Sequence, residues 1–268
     1  MPHTALSPEH LEELRAAKHA LETPGFAAQA VNAIGSPLEK GLALLPAGFQ
    51  GTIVAISQTA LEKAAAVAIR TLDSGEPRTS RNLLHRLAVT VTGAAGGAFG
   101  LPALSVELPI STTIMLRSIA DIARSEGEDI RDPVTRLSCM EVFAFGGRAS
   151  SDDAVESGYY AVRAALSQAV GEAARYLASG SVTHASAPPL ARLIARIAAR
   201  FGVQVTEKAA AQAVPIVGAA GGALLNSLFM VHFQTMARGH FTVRRLERIY
   251  TPEAVQAAYE ALGAGSEG

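Results

Sequence analysis

The sequence predicts an all-α chain, a compact multi-helix bundle, on three observations. A cap-competent residue stands directly before proline four times, at Ser7-Pro8, Ser36-Pro37, Asp132-Pro133 and Thr251-Pro252. The side-chain oxygen of Ser, Thr or Asp accepts from the first free amides of a helix, and proline at the first helical position gives up an amide that had no partner. Alanine, the strongest helix former, supplies 52 of the 268 residues. Alternating apolar and polar residues, the mark of a half-buried strand, are nearly absent. Val89-Thr90-Val91-Thr92 is the one short candidate, and helical patterns flank it.

Each element follows from local pattern. After Ser7, the residues Leu11, Leu14, Lys18 and Leu21 keep helical spacing. Residues 61–72, 152–177 and 190–201 are Ala-rich runs of strong helix formers. Within the second run, Val162, Leu166, Ala169, Val170, Ala173 and Leu177 trace a stripe that leaves Arg163, Gln168, Glu172 and Arg175 largely off it. Breaks are expected at 73–77, 127–133, 146–151 and 178–189, where Gly, Pro, Ser and Asp gather. None is a long linker. We therefore expect residues 1–38 as an N-terminal helical extension and 39–268 as the main helical domain.

Composition narrows the function classes. Lys and Arg total 23 against 24 Asp and Glu, a formal net charge of −1, without the cationic surplus of a non-specific nucleic-acid binder. Hydrophobic residues at 49% and charged residues at 18% exclude a disordered chain. The single Cys139 makes no internal disulfide, which suits a reducing compartment. The first residues carry charges and lack the apolar core of a secretory signal, so a cytoplasmic location is expected. Three stretches lack Asp, Glu, Lys and Arg: 41–61, 88–106 and 209–237. Each has the length of a membrane span, about 20 residues, but Gly, Ala, Ser, Thr, Gln and Pro dilute its hydrophobicity. Buried bundle helices are the first expectation, and shallow membrane insertion the second.

The hexapeptide Gly-Ala-Ala-Gly-Gly-Ala occurs twice, at 93–98 and 218–223. Gly93 with Gly97, Gly96 with Gly100, and Gly218 with Gly222 are four apart, so on helices they form smooth strips suited to close crossing. The two copies define an internal pseudo-repeat of Gly/Ala-rich apolar helical segments. As a phosphate cradle the motif lacks a preceding strand and a following Gly-Lys-Ser/Thr. Superposing the copies sets Glu107 on His232. A buried carboxylate needs a partner and an imidazole is a suitable one, so these two are the candidate acid–base pair. Local satisfaction of each is the competing expectation.

Two charged clusters stand out. Asp121, Arg124, Glu126, Glu128 and Asp129 follow an apolar helix, with Arg117 one turn before Asp121; their spacing matches no known cation loop. Arg238, Arg244, Arg245 and Arg248 form a basic cluster near the C-terminus, a candidate lipid head-group contact or a set of ion pairs to acids elsewhere in the fold. His232 and His240 are eight apart, about 80° around one helix and ~12 Å along it, so they share no metal shell unless Gly239 breaks the helix. No metal or cofactor is expected.

Residues 96–130, GGAFGLPALSVELPISTTIMLRSIADIARSEGEDI, and 215–250, PIVGAAGGALLNSLFMVHFQTMARGHFTVRRLERIY, resemble the EcsC family of bacterial proteins, over about residues 39–250. The family takes its name from a gene beside two components of an ABC transporter, so the resemblance implies a role near a membrane transporter. A protease label applied to some members finds no His-Glu-x-x-His and no Gly-x-Ser-x-Gly here. We expect a non-enzymatic cytoplasmic protein, peripherally associated with membrane lipids or with a membrane protein such as an ABC transporter component. The alternatives are a hydrolase using Glu107 and His232, and a soluble interaction scaffold.

Overall fold

The computed structural model describes residues 5–22, 26–34, 38–71, 104–146, 158–179, 187–213 and 218–264. Among them are ten α-helices and no strand. In chain order these are α1 (Pro8–Glu22), α2 (Phe26–Ile34), α3 (Leu38–Ala43), α4 (Phe49–Thr71), α5 (Leu104–Ser125), α6 (Pro133–Glu141), α7 (Tyr159–Ala178), α8 (Pro188–Ala213), α9 (Gly218–Ile249) and α10 (Pro252–Ala264). A 3-10 turn, Val142–Ala144, prolongs α6.

The caps act as their chemistry requires. Ser7 Oγ accepts from the His10 amide at 3.3 Å, and Thr251 Oγ1 from the Ala254 amide at 3.2 Å. Asp132 accepts from the Val134 and Thr135 amides, both at 3.3 Å, with Pro133 opening α6. Gly127 turns the chain between α5 and α6 with a φ of +81°. The expected stripe on α7 faces inward, with Val162, Leu166, Ala169 and Ala173 buried. The α7 and α8 helices end and begin at Ala178 and Pro188, inside the expected break.

Two helices organise the bundle. The α9 helix runs uninterrupted for 32 residues, about 48 Å, and packs on α1, α2, α5, α8 and α10. The α8 helix receives α2, α3, α4 and α7. Of the nine phenylalanines in the chain, five join in one run of ring contacts: Phe26 on Phe229 at 5.0 Å, Phe229 on Phe233 at 5.0 Å, Phe233 on Phe143 at 5.0 Å, and Phe143 on Phe201 at 5.2 Å. Edge-to-face contacts at these separations add stabilisation to the area buried. The segment expected as an N-terminal extension supplies Leu14, Leu21, Phe26 and Ala30 to this same core.

Small residues set the closest approaches. A Cβ at Gly41 would collide with the backbone carbonyl of Ala210, so α3 lies directly on the α8 backbone. A Cβ at Gly239 would stand 2.7 Å from Leu21 Cγ and 3.1 Å from the Ala17 carbonyl oxygen. Gly239 is therefore a crossing point of α1 and α9 and does not break the helix. The strand candidate at 89–92 and Gly93, Gly96, Gly97 and Gly100 lie outside the described residues.

Two substitutions separate packing from propensity. Gly41→Ala must displace backbone and should cost about 1–3 kcal/mol. Gly51, near the start of α4, has nothing within 4 Å of its Cβ position, so Gly51→Ala should hold or gain up to about 1 kcal/mol. Urea midpoints at unchanged slope test both; a Gly41→Ala midpoint equal to wild type would refute the close approach.

Candidate functional site

Glu107 lies in the first turn of α5, where the free amides of a helix start favour a carboxylate. The residue is buried, and its partners come from two other helices. Lys208 Nζ, on α8, donates to both carboxylate oxygens at 2.8 and 3.0 Å, and Asn226 Nδ2, on α9, donates to Oε1 at 2.8 Å. Lys208 is fully buried, and its ammonium also sits 5.0 Å from the centre of the Phe229 ring. Removing either charge would strand the other in the apolar core.

This arrangement corrects the expected pairing of Glu107 with His232. The α5 and α9 helices run parallel: Glu107 meets Asn226, and further along Gln234 Nε2 donates to Ser118 Oγ at 2.8 Å. His232 is six residues beyond Asn226, about 9 Å along the axis. The observed register differs from the one that superposing the hexapeptides suggests. His232 packs instead against Gly146, whose φ is +74° and whose Cβ would stand 2.6 Å from His232 Cε1. A side chain at that position would displace the imidazole.

Burial holds His232 neutral, with its pKa lowered from 6.5 to about 4. His240 is depressed further, by burial first and then by the Arg163 and Arg244 charges. Its Nδ1 is hydrogen-bonded with the Tyr159 hydroxyl at 2.9 Å. Glu107 is answered by Lys208 and Asn226 and by neither imidazole. Cys139 is buried, and burial raises its thiol pKa far above the range of a nucleophile. Among the described residues, no three of His, Cys, Asp and Glu gather to hold a metal ion.

The two charged clusters noted in the sequence meet each other. Arg244 donates to both oxygens of Glu128 at 2.8 and 3.2 Å. Arg248 also pairs with Glu128 and donates to the Glu126 carbonyl at 2.7 Å. Arg245 bridges Glu126 at 2.8 Å and Glu13 at 2.9 Å. Burial alone would raise the Glu128 carboxyl; Arg244 and Arg248 outweigh it and hold the pKa down. Three of the four arginines expected at lipid head groups thus tie α9 to α1 and to the α5–α6 turn. Arg238 is exposed. Asp121 pairs with Arg124 at 3.1 Å, and Glu247 with Arg163 at 2.7 Å.

The opposite end of the bundle is aliphatic. Val106 and Ile110 stand one turn apart on α5, 67% and 46% exposed, beside buried Glu107. Leu224 on α9 is exposed two residues before Asn226. Leu42 and Leu44 are exposed next to Gly41, which lies on Ala210 two residues past Lys208, and exposed Val54 packs at Gly202. Val106, Ile110 and Leu224 are therefore exposed beside the Glu107–Lys208–Asn226 cluster, while Val54 stands on α4 against Gly202, six residues before Lys208. Leu224 and Arg244 are 20 residues apart on one helix, about 30 Å, so the aliphatic and ionic ends face away from each other. Gly218 opens α9, and Gly222 is buried within it. No helix among the described residues is long and apolar enough to cross a membrane.

Lys208 and Asn226 were missed by the sequence reading, although one signal marked Lys208. It stands on the buried stripe of α8 with Phe201 and Val205, seven and three residues before it. A charge on an apolar stripe calls for a buried counter-charge.

Compared with known proteins, the EcsC protein family model matches residues 9–246. No curated protein and no solved structure matches.

Lys208→Met should destabilise the fold by about 3–5 kcal/mol, because Glu107 is left buried and unpaired, and adding Glu107→Leu should recover most of that loss. Urea unfolding of the single and double variants measures the coupling; equal losses in both would refute it. The histidines give a pH dependence of definite sign. Because His232 is neutral in the fold and titrates near 6.5 when unfolded, stability should fall as pH drops from about 6.5 to about 4, by up to about 3 kcal/mol. Glu141, raised by burial despite Arg163 and Arg244, acts with the opposite sign. His232→Leu, compared with wild type across that window, isolates that imidazole and should reduce the acid loss, leaving the part that His240 contributes.

Proposed function

The chain belongs to the EcsC protein family, and we propose that it is a non-catalytic helical protein that docks on membrane lipid through the aliphatic end of its bundle. The reading rests on the exposure of Val106, Ile110 and Leu224 beside the Glu107–Lys208–Asn226 cluster, with Leu42, Leu44 and Val54 exposed on α3, the turn after it and α4. Each such side chain contributes about 1.5–3 kcal/mol when fully removed from water. They come from α3 and the turn after it, α4, α5 and α9, and small apolar side chains of this kind suit shallow insertion between lipid head groups.

This reading replaces the arginine-led attachment expected from sequence. Arg244, Arg245 and Arg248 answer carboxylates of the same chain and sit at the far end, so the aliphatic side chains carry the contact. Attachment should then depend little on salt or on anionic lipid.

Flotation of the detergent-free chain with neutral and anionic vesicles, at low and high salt, tests the proposal. Wild type should float with both, and Val106→Asp with Ile110→Asp should lower the bound fraction at least tenfold. Val134→Asp, at the ionic end, should float like wild type. Absence of flotation would overturn lipid docking in favour of a soluble scaffold or a protein partner such as a transporter component. Flotation confined to anionic vesicles and abolished by salt would return the contact to the basic side chains.

A further inference from the structure

The face of α5 that exposes Val106 and Ile110 continues along the same helix to a cation that the fold leaves unanswered. At 100° per residue, Val106, Ile110, Thr113 and Arg117 fall within about 60° of one another, and Arg117 stands about 10 Å along the axis from Ile110. Arg117 is exposed, and among the described residues its guanidinium enters no ion pair and no hydrogen bond. Asp121, one turn further on, has the spacing to answer it, but Asp121 is held by Arg124 at 3.1 Å. Thr113 is half-buried between the aliphatic side chains and the cation, and returns its hydroxyl to the Pro109 carbonyl at 2.8 Å. No acidic residue stands between Glu107 and Asp121. The strip therefore offers two aliphatic side chains at one end and a free fork of donors at the other.

We infer that Arg117 binds the phosphate of a membrane phospholipid while Val106 and Ile110 enter the acyl boundary beside it, so that α5 lies along the head-group layer. Resting on membrane docking through the aliphatic end, this contact adds the chemical group recognised. An arginine keeps its charged head in the polar layer while its stem lies along apolar surface. Its planar guanidinium sets two N–H donors against two phosphate oxygens. Zwitterionic and anionic phospholipids both carry that phosphate, so recognition follows the phosphate and not the net charge of the lipid. Attraction by surface potential behaves otherwise, since it needs anionic lipid and is screened by salt. A single exposed guanidinium holds a free phosphate ester weakly in water. Only a surface that also takes up Val106 and Ile110 presents phosphate to Arg117 at high effective concentration, which selects the membrane over a soluble phosphate.

Flotation of the full chain with phosphatidylcholine vesicles, and with vesicles of an uncharged, phosphate-free diglycosyl diacylglycerol, tests the contact. Wild type should bind both, phosphatidylcholine about fivefold more tightly, the equivalent of roughly 1 kcal/mol for one cation at a membrane surface. Arg117→Gln should lower phosphatidylcholine binding to the glycolipid level and leave glycolipid binding unchanged. Arg238→Gln, which removes an exposed cation of α9, should change neither. Equal wild-type binding to the two vesicles, an Arg117→Gln chain that keeps the preference, or an equal loss with Arg238→Gln would overturn the assignment. Glycerophosphocholine, the soluble head group, should show no saturable binding at millimolar concentration; binding that Arg117→Gln abolishes would move the site to a soluble phosphate ester and overturn the membrane source. Wild type that floats on both vesicles without preference removes the Arg117 contact and leaves membrane docking standing. Wild type that floats on neither removes docking itself, and the phosphate contact with it.

Discussion

One buried ion pair conditions the rest of the architecture. Glu107 and Lys208 are buried in a core made of alanine, aliphatic side chains and phenylalanines packed mostly edge to face. A buried carboxylate and ammonium are tolerable only when they answer each other with good geometry and further hydrogen bonds. Asn226 provides that bond, and with it α9 is held in register against α5 and α8. A slip of one helical turn along α9 would move Asn226 away and take from Oε1 one of its two donors. Small side chains alone give α5, α8 and α9 many nearly equivalent ways to slide; a polar contact with fixed partners selects one.

The same register divides the molecule into two unlike ends. Where α5 and α9 begin, the inward faces carry the ion pair and the outward faces carry Val106, Ile110 and Leu224. Some 30 Å along α9, arginines meet Glu13, Glu126 and Glu128 from α1 and the α5–α6 turn. Between the ends, Arg163 bridges α7 to Glu247 and lies 5.4 and 5.5 Å from the centres of the Tyr159 and Tyr160 rings. This belt excludes water around His240 and accounts for its neutrality. Charge is therefore consumed in joining elements at one end, while Val106, Ile110 and Leu224 are exposed at the other.

Much of the fold was legible because helices are written locally. Ser7, Asp132 and Thr251 announced three helix starts, and the α7 stripe named its own buried face. The candidate site was legible only in part. Glu107 was correctly singled out as a buried carboxylate, since it is the first ionisable group after a long uncharged run, but its partner was not. The repeated hexapeptide suggested His232 by alignment, whereas contact depends on how two helices are displaced along their axes, a quantity no repeat fixes. Arg244, Arg245 and Arg248 were visible as a cluster, and Glu126 and Glu128 as another; that they neutralise each other across about 120 residues of chain was not visible in either.

The sequence by itself determined the secondary structure, the inward faces and the presence of a carboxylate that must be buried, because capping, propensity and periodicity act over a few residues. Tertiary structure alone decided that Lys208 answers Glu107, that the basic cluster is turned onto its own chain, and that Val106, Ile110 and Leu224 are exposed beside the buried pair. Those outcomes depend on helix order, direction and axial register, which are set by packing and by buried charge acting together over the whole chain.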